Sequence, residues 1–459
     1  MAITALIILP PLAIGRFGSS SQPLEAYELE VNPNRPMDFR DIRPSLSLEV
    51  DPDQGHVVRQ YTPERIRFRD GERIRPVAPF LEVFAKTSAD TLEPVTLDFL
   101  RTEGLGPEAI SWEVNVGNLK VFRQTGNADD KVLAGTGSFS DHDVHLLKGI
   151  SPNFLTGKFI PFGSVRYIRP TPDFPQIRLR FTPGSGQVYG SSLKRFETKD
   201  REVDDPTFAG DDSRIVYDPD KGNWRGFQQD TSLKTLCSPS DIYQGFIDDP
   251  NKLAISWGYL DDVCDGPVSV QLKLADGTIL SATAWISACM PAFAPDSQPV
   301  RTVADELEQL ILGPEPDAAE VSIADAAEIV RRALETIRLM NTRVMNGNIV
   351  DGRTNIAHTL ITQDTNDFGR LYAPIMAASL VDNFAVRALH ERVLIALSGG
   401  KAPWFARALR QPEDIGDLSD AGRRKMPPML RGADGRGLAL TRRQLAKIAR
   451  AATVDLFKP

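Results

Sequence analysis

Val268-Ser269-Val270-Gln271-Leu272-Lys273-Leu274, then Ala275-Asp276-Gly277-Thr278, then Ile279-Leu280-Ser281-Ala282-Thr283-Ala284-Trp285-Ile286: two alternating runs flank a four-residue turn. Period 2 sends successive side chains to opposite faces, so each run reads as a half-buried antiparallel strand. Asp276-Gly277 supplies the positive φ such a turn needs, and the stretch predicts a β-hairpin. Similar alternation occurs at Ile66–Arg69 before Asp70-Gly71, and at Phe80–Phe84, Ile110–Val116 and Ile177–Phe181. From its start to about residue 300 the chain is therefore expected to be mostly β, in packed sheets. The opening Ala2–Gly15 is apolar like the core of a signal peptide, but it lacks a basic start and Pro10-Pro11 breaks it. It reads as a buried first strand.

After Pro299 the period changes. Val303–Leu312, Ala324–Met340, Ala377–Leu397 and Arg442–Ala452 place apolar residues at i, i+3, i+4 and i+7, as in Ile329, Ala333, Ile337 and Met340 beside Leu334. These are amphipathic helices, the last with Thr441 placed to cap it. The fold class is accordingly α+β: a β-rich part over 1–298 with antiparallel sheets, and an α-helical part over 299–459. Gly313-Pro314-Glu315-Pro316 is a second candidate break.

With 53 Lys+Arg against 61 Asp+Glu, the 459 residues carry a net charge of −8, which argues against a nucleic-acid partner. Hydrophobic residues at 41% suffice for a sizeable core, and no run reaches the roughly 18 apolar residues of a membrane span. A cytoplasmic address is expected. Cys237, Cys264 and Cys289 form no CxxC pair, so neither a disulfide framework nor a thiolate zinc site is predicted.

Two clusters could carry chemistry. In Asp141-His142-Asp143-Val144-His145, the side chains of His142, Asp143 and His145 could donate nitrogen and oxygen to a divalent cation. In an extended chain 142 and 145 point to opposite faces, so the ligands converge only if the segment turns. Asp261, Asp262 and Asp265, around Cys264 and before Gly266-Pro267, could raise one another's pKa for acid-base catalysis or hold a cation. The alternative is that they satisfy backbone amides in a tight turn. The acidic excursion Phe196–Gln229, dense in charge from Lys199 to Asp212, is either a solvated surface loop or an active-site or partner loop. Gly432–Gly437 lacks the Gly-Lys-Ser/Thr ending of a phosphate loop, and His358 and His390 stand alone on the helical side.

Several segments, read in order, resemble one family. They are Leu9–Ser20; Arg73–Phe84 with Ile110–Val114; Asp261–Val268 followed by Ala284–Ile286 and Pro291–Asp296; and Lys425–Met429 with Leu438–Gln444. Together they are similar to the cysteine tryptophylquinone oxidases of the lysine ε-oxidase and glycine oxidase type. The resemblance covers about the first 300 residues and the last 35. It implies an amine or amino-acid substrate, taken as a Schiff base by an orthoquinone with a carboxylate as base. The family carries its Cys and Trp pair in the C-terminal part, whereas here no cysteine follows Cys289 and Trp404 is the one tryptophan beyond it. Trp285 and Cys289 lie four strand positions apart, roughly 13 Å, too far for a thioether. The standard tryptophylquinone is therefore not expected, and a metal is the alternative cofactor. Two functions stay open: a divergent oxidoreductase acting on an amine or amino-acid-like substrate, or a catalytically silent relative that binds a protein partner or a second copy of itself.

Overall fold

The hairpin forms as its alternation requires. In the computed structural model the described residues are 3–34, 40–198, 201–222, 228–229, 244–246, 254–256, 259–292, 295–317, 319, 321–336, 392, 395, 407–417, 419–423, 425–428 and 438–454. The strands that matter below are β1 (Ile3–Leu9), β2 (Leu12–Arg16), β3 (Phe80–Thr87), β4 (Leu92–Pro94), β5 (Ile110–Asn118), β6 (Val132–Phe139) and β7 (His145–Gly149). They continue as β8 (Ile160–Ile168), β9 (Arg178–Pro183), β10 (Val188–Tyr189), β11 (Leu260–Asp261), β12 (Asp265–Lys273) and β13 (Ile279–Cys289). β12 and β13 pair antiparallel from Asp265↔Ser287 to Lys273↔Ile279, and Gly277 takes φ 90° in the turn.

One sheet has six strands, in the order β1-β3-β9-β8-β7 with β4 added beside β3. The other has five, β6-β5-β12-β13-β2, and its β2 runs parallel to β13. The N-terminal apolar run thus serves both sheets. Ile3–Leu9 lies along β3 and Leu12–Arg16 along β13. Pro10 and Pro11 have no N–H to continue a ladder, so the break in the sequence is where the chain changes sheet. Where the sequence predicts a strand at Ile66–Arg69, the structure has only a short ribbon, Arg69-Asp70 on Arg73-Ile74, turning at Gly71 with φ 57°. The Phe68 ring packs on Tyr27 instead, 5.6 Å between centroids.

The inner faces of the two sheets bury Leu81, Val165, Leu179 and Phe181 from one, and Trp112, Val114, Val270 and Ile286 from the other, in a single core cluster. Trp112 and Tyr167 meet across it at 6.3 Å.

The chain divides into two compact units, Met1–Tyr27 with Pro44–Pro291, and Glu28–Arg43 with Ala292–Pro459. The second contains α1 (Val303–Leu312), α2 (Ile323–Glu335) and α3 (Arg442–Val454). Ile329, Val330, Ala333 and Leu334 of α2 pack with Leu440 and Ile448. Thr441 caps α3: its Oγ1 accepts from the Gln444 N–H, and the Gln444 side chain accepts from the Thr441 N–H. The helix expected at Ala377–Leu397 lies outside the described residues apart from Arg392 and Ile395. So do Ile337, Met340, His358, His390, Gly432–Gly437, Cys237, Trp257 and Trp404. Among the described residues no helix is long and apolar enough to cross a membrane.

Candidate functional site

The three clustered acids do not form one set. Asp261, at the end of β11, is 2% exposed; its Oδ1 accepts from the Asn118 amide at 2.8 Å and its Oδ2 pairs with Lys120. Asp262 is fully buried, and its Oδ2 accepts the backbone N–H groups of Gly186 (2.9 Å) and Gln187 (3.2 Å). Its Oδ1 is buried without a partner. Asp265 opens β12 at the surface. The residues thus divide into an ion-paired anchor, a clasp on the Gly184–Gln187 turn and a solvated strand end.

Burial pushes the Asp262 carboxyl up to about 6, against the pull of the Gln187 and Gly186 amides. The turn it holds depends on glycine: a Cβ at Gly184 would sit 2.6 Å from Asp262 Oδ2 and 2.8 Å from the Pro161 carbonyl. Gly186 takes φ +80°. The Gly184-Ser185-Gly186 sequence was the available sign that a carboxylate is clasped here. Nearby, the Cys264 thiol is buried against the Phe162 carbonyl, and burial raises its pKa, which makes it an unreactive core residue.

The histidine cluster turns, but its donors are engaged separately. His142 Nδ1 lies 3.0 Å from the Tyr167 carbonyl, and its ring packs on that of Tyr167 at 4.6 Å. Burial pulls its pKa down, and the Tyr167 carbonyl opposes this. His145 Nε2 meets Asp141 Oδ1 at 2.8 Å while its ring stacks on Phe139 at 3.9 Å. The Asp143 backbone N–H donates to that same Asp141 oxygen, and its own carboxylate is at the surface. Asp141, absent from the expected ligand set, is what organises the segment. Among the described residues no three His, Cys, Asp or Glu side chains are grouped to hold a metal ion. Trp285 and Cys289 occupy one strand four residues apart, and Trp112 is buried in the core.

A cleft of about 690 Å³ lies in the first unit, lined by Lys158, Phe159, Gln187, Tyr189, Asp211 and Arg214 among others. That volume is in the range of small-molecule pockets. Part of the acidic excursion forms one wall. Asp211 accepts from the N–H and hydroxyl of Ser213, bonds that hold its carboxyl below the ordinary range. Arg214 lies over the Phe208 ring, 5.1 Å from its centroid, and donates to the Val188 and Thr207 carbonyls. Gln187 connects the cleft to Asp262 through its backbone N–H. Nothing in local sequence links 158, 187 and 214; long-range strand pairing assembles the cleft.

No family model and no curated protein matches the chain. Among solved structures it is similar to the L-Lys ε-oxidase from Marinomonas mediterranea. The structure of that enzyme's Schiff base intermediate with L-Lys aligns at 15% identity and a TM-score of 0.40, covering 75% of this chain and 46% of that one. Another structure of the oxidase aligns at 14% identity and a TM-score of 0.43, covering 98% of this chain and 60% of that one. The chain therefore spans only about half the length of the oxidase, and the likeness is a distant one of fold.

Proposed function

We propose that this chain binds a small amine or amino-acid-like molecule in the Lys158–Arg214 cleft, as a divergent relative of the amine-oxidising quinoproteins without a standard tryptophylquinone. The observation that carries this reading is the pairing of charges in one cleft: the ionised Asp211 near Tyr189 and Phe208, with Lys158 and Arg214 alongside. Asp211 and Arg214 pair with each other at 3.3 Å, and an amino acid would exchange that pair for its own, with its ammonium on Asp211 and its carboxylate on Arg214 and Lys158. Of the three acids, Asp262 is the candidate proton acceptor. It combines a buried oxygen without a partner with a carboxyl pushed up to about 6, the combination that general-base chemistry needs. Asp261 would position and Asp265 would stay solvated.

The test is calorimetric titration of the purified protein with a panel of amines and amino acids, with peroxide release followed in parallel. Saturable binding lost in Asp211→Asn supports the reading, and peroxide that disappears in Asp262→Asn adds the oxidoreductase role. Absence of binding across the panel would overturn it.

A second reading, a silent subunit that binds a protein partner or another copy of itself, is favoured by α1. Leu310 is 80% exposed and Ile311 75%, and Val303, Leu307 and Leu312 are exposed with them. Light scattering over a concentration series tests self-association, which Leu310→Asp should abolish.

A further inference from the structure

We propose that an oxyanion, a carboxylate or a phosphate group, binds between Arg178 and Arg180 on the side of the six-stranded sheet turned away from the core. On β9, Leu179 and Phe181 enter the core, so Arg178, Arg180 and Thr182 share the opposite face. The register adds their neighbours on that face: Glu82 and Phe80 from β3, and Arg166 and Ser164 from β8. Three arginines therefore share this face with Glu82 among the described residues.

Their donors are unequally satisfied. Arg166 gives its hydrogen bonds to carbonyls, those of His142, Pro52 and Asp53, and its charge helps to hold the Asp51 carboxyl low, so its own donors are already engaged. Arg178 Nε donates to Glu82 at 2.5 Å, but its Nη1 is buried without a partner. Arg180 stacks on the Phe80 ring at 4.9 Å; among the described residues it has no carboxylate partner, and its Nε is likewise buried without an acceptor. Burial pulls the Arg180 guanidinium down only to about 10, so it is still charged at neutral pH. A buried donor on a charged group is costly to leave unmade, and here two such donors stand two residues apart on one strand face. Residues i and i+2 are about 7 Å apart, a span that one oxyanion held by two planar forks can bridge. The hydroxyls of Thr182 and Ser164 lie on the same face as further donors.

The experiment follows thermal stability of the full chain as inorganic phosphate or acetate is added, with sodium chloride at matched ionic strength as control. The result expected is a saturable rise in Tm with at least one oxyanion, and none in Arg180→Met. Saturation by phosphate alone assigns a phosphate-bearing ligand; saturation by acetate assigns a carboxylate. Arg180→Met without added anion should be no less stable than the parent, because it removes a buried charge whose only compensation is the Phe80 ring among the described residues. The proposal is overturned if tens of millimolar of either anion gives no saturable shift, or if Arg180→Met responds as the parent does. Should Arg180→Met fail to fold, calorimetric titration of the parent decides whether the oxyanion binds. Arg180→Lys, which keeps the charge but loses the fork, should then bind it more weakly; equal binding would overturn the site.

Discussion

Asp262 keeps its proton longer than an ordinary carboxyl because two backbone N–H groups cannot replace the water it has lost. Between the ordinary carboxyl range and about pH 6, the folded chain holds a proton that the unfolded chain has released. Stability from this group is therefore full at acid pH and declines as pH rises to about 6, by roughly 3 kcal/mol at about 1.4 kcal/mol per pKa unit. Asp262→Asn should remove that decline, measured as urea unfolding midpoints between about pH 4 and pH 7. A decline of unchanged size would mean that another group titrates. Lys120→Met removes the cation paired with the buried Asp261 carboxylate, and should cost about 3 kcal/mol in the same assay. At the histidines, His142→Ala with His145→Ala should leave the metal content of the purified protein unchanged, because each ring already serves a carbonyl or a carboxylate. A drop in bound metal by elemental analysis would restore the three-ligand reading. Sequence spacing brought these residues to notice but could not sort them: neighbours in a turn share a location without sharing partners.

Single elements were more legible than their partners. The β12–β13 hairpin, β3, β5 and β9 followed from period 2 because each has one buried face, which alternation records directly. α1 to α3 followed from period 3.6, and α3 also from its cap Thr441; the structure adds Thr302 and Ser322 as the caps of α1 and α2. What alternation cannot record is which strand lies beside which, so the division of the first 16 residues between two sheets was invisible. Thr441→Ala should lower stability by about 1 kcal/mol, because one side-chain oxygen satisfies an otherwise orphaned N–H. Thermal unfolding checks this, and no change would mean that Gln444 alone secures the first turn. On α1 the amphipathic pattern suggested a buried face, yet Leu310 and Ile311 stand exposed. Amphipathicity says that a helix has an apolar stripe, not what covers it.

At the scale of the whole molecule, Glu28–Arg43 interrupts the β-rich unit in sequence but belongs to the unit that holds the helices. No composition shift marks it. Arg40 ties it there: its Nε donates to Glu335 at 2.8 Å and its Nη2 to Glu328 at 2.5 Å, with Arg40 and Glu335 both nearly inaccessible. Glu335 also accepts the Gln298 N–H, yet burial outweighs these bonds and its carboxyl stays above the ordinary range. The pair spans 295 residues of sequence, a separation at which no local pattern can announce a contact. Arg40→Met would leave Glu335 buried with no guanidinium, and a stranded buried charge costs about 3–5 kcal/mol. The acid can escape part of that cost by holding a proton, so the loss should be smallest at acid pH and grow as pH rises. Urea unfolding of parent and variant at about pH 5 and about pH 8 measures the difference. A loss independent of pH would mean that Arg40 acts by packing alone, whereas one that widens with pH assigns the tie to the charge pair.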